Sequence, residues 1–123
     1  MNWFFLISLV TASPLSPSPQ AVQGFMTASD LTVLCTPQDE SSALCLGYLV
    51  GAVDQLLARQ ARRSAARHTI CLPKGMTAET MRGAIMARLA RDPRNRPHAA
   101  ADAVRHAVEA EYACPRGGAP ADP

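Results

Sequence analysis

The sequence has few aromatic residues and no marked excess of charge of either sign. Aromatic residues make up only 5% of the 123 residues, which argues against a sheet protein because strands favour aromatic and β-branched side chains. Twelve basic and ten acidic residues leave a net charge of +2, too balanced for a protein that tracks a nucleic-acid backbone. Abundant Ala, Leu and Arg favour helices, and the length predicts one domain.

The sequence also lacks the motifs that carry common catalytic and metal chemistry. It has no G-x-S-x-G, no H-E-x-x-H and no glycine-rich phosphate loop. His98 and His106 could share one helix face, but no third ligand is indicated. Glu109 and Glu111 are two residues apart on a predicted helix, so they point to different faces and form no acid pair. We therefore expect no enzyme activity, no cofactor and no metal site.

No apolar run is long enough to cross a membrane, and the longest one lies at the N-terminus. Residues 3–10 (W-F-F-L-I-S-L-V) fit the hydrophobic core of a secretory signal. We predict a signal peptide over residues 1–24, cleaved after Gly24, with cleavage after Ala21 as the alternative. No Lys or Arg precedes the apolar core, so an N-terminal membrane anchor or a misplaced start codon is the competing interpretation. We expect an exported protein without stable membrane insertion after cleavage.

Four cysteines follow this segment, separated by 10, 26 and 43 residues. Zinc sites need close cysteine pairs, which this spacing excludes. An even count in a short exported chain predicts two disulfides and leaves no free thiol for catalysis. Four cysteines allow three pairings, and the count does not choose among them.

Capping residues and prolines predict four helices in the mature chain. Thr27 and Asp30 resemble a capping box, Ser41 or Ser42 can cap the second helix, and Thr77 caps the third. The helices are expected at about residues 28–36, 42–63, 78–91 and 99–113. The domain then covers residues 25–114, and residues 115–123, rich in Pro and Gly, are expected to form a disordered tail.

The second helix carries a stripe of small residues beside its apolar face, formed by Gly47, Gly51, Asp54 and Ala58. Each glycine inside a helix costs roughly 1 kcal/mol relative to Ala. We expect the close approach of another helix to compensate. Asp54 is then either buried and bonded across that contact or simply solvated.

The order of the helices favours one pairing of the cysteines. Cys35 ends the first helix and Cys45 begins the second, so a short turn brings them together. Cys71 precedes the third helix and Cys114 follows the fourth, at the same end of an antiparallel hairpin. The pairing Cys35–Cys45 and Cys71–Cys114 is therefore preferred, which predicts an all-α, small four-helix domain stapled by two disulfides.

Four segments of the chain together resemble a known family. They are F-M-T-A-S-D-L-T-V-L-C over residues 25–35, C-L-G-Y-L-V-G-A-V-D over 45–54, I-C-L-P-K-G-M-T over 70–77 and A-V-E-A-E-Y-A-C over 107–114. The sequence resembles the Rap/Tai family of type VI secretion amidase immunity proteins. The residues that carry the pattern are Cys35, Cys45, Gly47, Tyr48, Gly51, Asp54, Cys71, Pro73, Gly75, Thr77 and Cys114, and most of them look like fold residues.

The resemblance implies a periplasmic four-helix protein, often a homodimer, that binds and blocks a peptidoglycan amidase. Inhibition would come from a loop that plugs the amidase cleft, which is lined by a Cys–His pair. We expect Arg94, Asn95 and Arg96, between the third and fourth helices, to form the plug, because exposed loops on a rigid scaffold commonly carry binding. This chain departs from the family in residues 59–68, which are unusually rich in Arg and Ala and are interpreted as a solvated helix end and loop.

Two other functions stay open at the level of the sequence. A small periplasmic stress chaperone would also be helical and disulfide-bonded, but it would need apolar faces released at low pH. Ten carboxylates and three histidines give little pH control. An envelope-associated binding domain with no toxin partner is the third possibility.

Overall fold

A computed structural model describes residues 24–36 and 41–115 of the chain. Residues 1–23, which hold nearly all of the predicted signal peptide, and residues 116–123 of the predicted tail lie outside the described residues. The helices are α1 (Ala28–Cys35), α2 (Ser41–Ala61), α3 (Ala78–Arg91) and α4 (Ala100–Glu111), with short 3-10 turns at Ala65–Arg67 and Pro93–Asn95. Within the described ranges there is no strand, only two isolated β-bridges. The predicted all-α, four-helix class is confirmed.

Local capping sets where α1 and α3 begin. The Thr27 hydroxyl accepts from the Asp30 backbone N–H at 3.1 Å, and the Asp30 carboxylate accepts from the Thr27 backbone N–H at 2.9 Å. This reciprocal pair is the predicted capping box, and it satisfies donors that a helix start leaves unpaired. Thr77 caps α3 through its side chain alone, accepting from the Thr80 N–H at 3.1 Å.

The core lies between all four helices, and α4 packs against each of the other three. The predicted apolar stripes face this core. Its largest fully buried side chains are Leu31, Leu49, Ile85, Val104, Val108 and Cys45. Tyr112, expected to complete the stripe of α4, is only half-buried.

Both predicted disulfides are confirmed. Cys35–Cys45 joins the end of α1 to the start of α2, and Cys71–Cys114 joins the chain before α3 to the chain after α4. Backbone hydrogen bonds support the second disulfide, because the Cys71 N–H donates to Tyr112 and the Cys114 N–H donates to Thr69. The start and end of the α3–α4 hairpin are thus held together by covalent and backbone contacts.

The fourth helix is shorter than the predicted range of 99–113 at both ends. Ala99 pairs with Thr27 in one β-bridge, and Ala113 pairs with Ile70 in the other. A residue held in extended pairing cannot also continue a helix, so α4 is confined to Ala100–Glu111. The second helix ends at Ala61, two residues before the expected end.

The stripe of small residues on α2 does not contact another helix, so that expectation was wrong. Gly47, Gly51, Asp54 and Ala58 are all exposed. A Cβ atom built on either glycine would meet nothing within 4 Å. The reason is geometric: at 100° per residue, this stripe lies about half a turn from the core-facing residues Cys45, Leu49 and Val53. Asp54 is accordingly a solvated carboxylate.

Candidate partner-binding surface

The turn between α3 and α4 is organised by Asp92. Its carboxylate accepts from the Arg94 backbone N–H at 3.3 Å and so caps the 3-10 turn Pro93–Asn95. The same carboxylate binds the Arg94 guanidinium through Nε at 2.9 Å and Nη2 at 3.2 Å. These hydrogen bonds hold the pKa of Asp92 below its ordinary value of 3.8 and raise the pKa of Arg94. The turn is therefore closed by a bidentate ion pair at the surface.

The second half of this turn is fastened to the start of α1. The Ala28 N–H donates to the His98 carbonyl at 2.9 Å, and the Ser29 N–H donates to the Arg96 carbonyl at 3.2 Å. In return the Ala100 N–H donates to the Met26 carbonyl at 2.8 Å. Two unpaired donors of α1 are thus satisfied by the turn. The backbone around Arg96 is fixed on the scaffold while its side chain stays exposed.

The structure places the three predicted plug residues in one turn but not in one pocket. The side chains of Arg94 and Arg96 are exposed, whereas Asn95 is half-buried. Arg94 and Asn95 line a groove between α3 and α4, and Arg96 is not part of its lining. Their role in binding a partner stays a prediction.

This groove, called the basic groove below, has a volume of about 670 Å³. It runs between the C-terminal half of α3 and the outer side of α4. Its lining consists of Arg88, Arg91, Asp92, Pro93, Arg94, Asn95, His106, Ala107 and Ala110. The lining thus combines three guanidinium groups and one imidazole with the apolar groups of Pro93 and two alanines.

Of the arginines that line the basic groove, only Arg94 was singled out from the sequence, and Arg88 and Arg91 were not. The available signal was their spacing, because Arg88, Arg91 and Arg94 recur every third residue. The buried Nε of Arg88 has no hydrogen-bond acceptor among the described residues, and the Glu111 carboxylate lies 3.9 Å away. A buried donor left without an acceptor costs about 1–3 kcal/mol. Arg91 makes no salt bridge within the described ranges, so this groove carries positive charge that the fold does not neutralise.

The family model of Rap1a immunity proteins matches residues 27–114. The chain belongs to the Rap1a immunity protein family. The match begins at the Thr27 cap and ends at Cys114, so it covers the four helices, both disulfides and the basic groove. No curated protein and no solved structure matches the chain. Membership gives this chain a toxin-immunity role and implies a protein toxin as its partner.

A second basic concavity of this Rap1a family member lies between α2 and α4. This arginine pocket has a volume of about 120 Å³ and is lined in part by Arg59, Arg63, Arg67, Arg105 and Glu109. Arg105 is held by Glu109 at 3.3 Å. The other three arginines are exposed and form no salt bridge within the described ranges, consistent with the interpretation of residues 59–68 as a solvated segment.

The remaining candidate chemistry of this immunity-family chain is limited. All four cysteines are in disulfides. Among the described residues, no group of three His, Cys, Asp or Glu side chains could hold a metal ion. His98 and His106 are both exposed, and the Nε2 of His106 lies 2.9 Å from the Arg105 guanidinium. None of the described helices combines the length and apolar character needed to span a bilayer.

Proposed function

We propose that this chain is a non-enzymatic, periplasmic immunity protein that binds a peptidoglycan amidase of a type VI secretion system and covers its catalytic cleft. The observation that carries the proposal is the family match over residues 27–114. The two disulfides support it, because such bonds form and persist in oxidising compartments such as the periplasm. Inhibition by occlusion requires a rigid surface and no chemistry of its own.

The turn that holds Arg94, Asn95 and Arg96 is the proposed plug. Its support is the combination of exposure and rigidity: two arginine side chains point into solvent from a backbone fastened to α1. A turn ordered before binding loses less conformational entropy when it enters a cleft. The groove beside it adds contact area next to the plug.

In the first experiment, the oxidised mature chain is immobilised and used to capture proteins from a lysate of the source cells, grown with the secretion system active. Mass spectrometry identifies what is retained. The proposal expects a peptidoglycan amidase that releases no product from purified peptidoglycan while it is bound. An amidase that is retained but fully active would contradict occlusion. Retention of unrelated envelope proteins without any hydrolase would contradict the immunity role for an amidase.

A charge reversal in the turn tests the plug itself. We expect Arg96→Glu to weaken inhibition about tenfold or more, because the exposed guanidinium would meet the toxin directly. Arg62→Glu is the matched control, since Arg62 is also an exposed arginine but lies at the end of α2. Equal inhibition constants for both variants would place the toxin contact away from the turn.

The chaperone alternative makes a different prediction. A chaperone would protect unrelated proteins from acid aggregation in proportion to its concentration. Among the described residues no Asp, Glu or His residue is buried, so protonation in acid has no buried group through which to open the core. We expect no such protection by this chain. A separate measurement, light scattering of the mature chain, tests the homodimer that the family resemblance implies.

Export is tested by sequencing the N-terminus of the protein recovered from the periplasm. The proposed cleavage after Gly24 gives a chain that starts at Phe25, whereas cleavage after Ala21 gives one that starts at Val22. Recovery from the periplasm in oxidised form is expected in both cases. Recovery of an uncleaved chain from the membrane fraction would support the N-terminal anchor instead.

A further inference from the structure

We infer that the basic groove binds an acidic segment of the partner protein. The inference rests on the proposed function only for the identity of that partner, the amidase toxin. The groove would contribute recognition beside the plug, so that the toxin contacts both the turn and the concave surface between α3 and α4.

Positively charged side chains outnumber negatively charged ones in the lining of the basic groove. Arg88, Arg91 and Arg94 line it, and Asp92 is the one carboxylate in its lining. Asp92 is already engaged by Arg94 in two side-chain hydrogen bonds. Arg88 and Arg91 are one helical turn apart, so their side chains leave α3 on the same face. Arg88 has only a long ion pair, with Glu111 at 3.9 Å, and Arg91 makes no salt bridge within the described ranges. This face of α3 therefore carries positive charge that is available to an entering carboxylate.

The Nε–H group of Arg88, which lies in the same lining, lacks a hydrogen-bond acceptor among the described residues. The Oε2 of Glu111, at 3.9 Å, is beyond hydrogen-bond distance. Guanidinium groups prefer planar, bidentate contact with carboxylates. Because its pair with Glu111 is long, the Arg88 guanidinium can also interact with a carboxylate that enters the groove.

The basic groove is much larger than the arginine pocket, and this difference decides which of the two can hold a peptide segment. The arginine pocket contains more unpaired guanidinium groups, but its volume of about 120 Å³ holds little more than one anionic group. The basic groove, at about 670 Å³, accommodates a segment of several residues. Its alanine and proline walls also give that segment an apolar surface to cover.

The shape also favours a protein segment over an anionic membrane. A concave surface cannot lie flat on a layer of headgroups, and membrane-binding surfaces usually set apolar side chains beside the cations. The large exposed apolar side chains of the described residues are Phe25, Val33 and Leu44. None of them lines the groove, so no apolar wedge accompanies its arginines.

The experiment uses a short synthetic peptide in which Glu alternates with Ala, and a control peptide with Gln in place of each Glu. Both are titrated into the uniformly ¹⁵N-labelled mature chain at low salt, and arginine Nε–H and backbone signals are followed by NMR. We expect the Glu peptide to shift the signals of Arg88, Arg91 and the Ala107 backbone, and the shifts to shrink at high salt. The Gln peptide should leave these signals in place.

An exposed arginine of the groove provides the variant. We expect Arg91→Gln to weaken binding of the Glu peptide about tenfold, as expected for loss of a charge-assisted bidentate contact. Arg62→Gln should bind like the parent chain, because Arg62 lines neither concavity. Arg91 is exposed, so its replacement leaves the core intact, and unchanged backbone signals elsewhere confirm the fold.

Three results would overturn the inference. The Glu peptide could shift only the signals of Arg59, Arg63 and Arg67, which would assign acidic ligands to the arginine pocket. Both peptides could fail to bind while vesicles of phosphatidylglycerol retain the chain in sedimentation, which would assign the surface to a membrane. Finally, Arg91→Gln and Arg62→Gln could reduce binding equally, which would show unspecific attraction by net charge.

Failure of this inference and failure of the proposed function give different results. If an amidase is retained and inhibited equally by the parent chain and by Arg91→Glu, the immunity role stands and the groove is not its contact. If the Glu peptide occupies the groove but no amidase is retained, the groove recognises acidic segments of a different partner.

Discussion

Two positions of α2 are occupied by glycine although the surrounding packing does not require glycine there. Gly47 and Gly51 lie inside a helix, face solvent, and leave open space where a Cβ atom would be. Glycine in such a position only adds conformational freedom to the unfolded chain. Gly75 differs, because its backbone has a φ of +78°, which residues other than glycine rarely adopt.

We therefore expect Gly47→Ala and Gly51→Ala each to raise the free energy of unfolding by roughly 0.5–1 kcal/mol. Gly75→Ala is the control and should lower it by about 1 kcal/mol, since Ala is strained at positive φ. Urea unfolding followed by circular dichroism measures all three. Loss of stability at Gly47 or Gly51 would mean that this face packs against something in solution, such as a second copy of the chain.

A single amide side chain holds the loop after α2. The Gln60 Oε1 accepts from the backbone N–H groups of Thr69 and Ile70, both at 2.9 Å, and its Nε2 donates to the Ile70 carbonyl at 2.6 Å. We expect Gln60→Ala to destabilise the protein by about 1–3 kcal/mol, because the partly buried Ile70 backbone would lose its partners. Gln55→Ala, at an exposed position of the same helix, should change the unfolding midpoint very little.

At the scale of elements, the start of α1 depends on a charged cap. Hydrogen bonds from the Thr27 side chain and backbone hold the pKa of Asp30 below its ordinary value of 3.8. The pKa of Asp30 is lower in the folded protein than in the unfolded chain. The ionised cap therefore stabilises the protein at pH values above the ordinary pKa, and this stabilisation is lost as the pH falls through the pKa of the folded state. The α1 end of the molecule should therefore loosen in acid before the core does.

Replacement of the cap residue makes this pH dependence measurable. We expect Asp30→Asn to be less stable than the parent chain near neutral pH, and the difference to shrink as the pH falls below 3.8. Asp54→Asn, on the exposed face of α2, is the comparison variant and should show no such convergence with the parent chain. A constant difference between Asp30→Asn and the parent at all pH values would contradict the role of the ionised carboxylate.

At the scale of the whole molecule, the second disulfide encloses α3 and α4. Cys71 and Cys114 are 43 residues apart in sequence, against 10 for Cys35 and Cys45. The chain-entropy model assigns about 4 kcal/mol to the longer loop and about 3 to the shorter one. Small domains are stable by only 5–15 kcal/mol in general, so either crosslink is a large part of the total.

We expect Cys71→Ala with Cys114→Ala to lower the free energy of unfolding by about 4 kcal/mol. Both cysteines are half-buried, so loss of packing adds little to the loop effect. Denaturant titration of the oxidised variant measures the change. Fully reduced parent protein, which lacks both crosslinks, should unfold at still lower denaturant, and an unchanged midpoint in the double variant would contradict the prediction.

Local interactions explain what the sequence by itself determined. The caps at Thr27 and Thr77 act over three residues, the apolar stripes follow the helical period, and the disulfide pairing follows from helix order with short connections. The four helices and the two disulfides could therefore be predicted without coordinates, and the resemblance of four segments to a known family indicated the family that the match over residues 27–114 shows. The plug turn could also be located, although its role in binding remains a prediction.

The tertiary structure decided everything that depends on how the helices are rotated against one another. Gly47, Gly51 and Asp54 face solvent because α2 turns its opposite side to the core. Arg88 and Arg91 line a groove because α3 and α4 pack side by side, an arrangement that the spacing of arginines alone does not specify. The two β-bridges that shorten α4 join residues far apart in sequence, so no local pattern could reveal them.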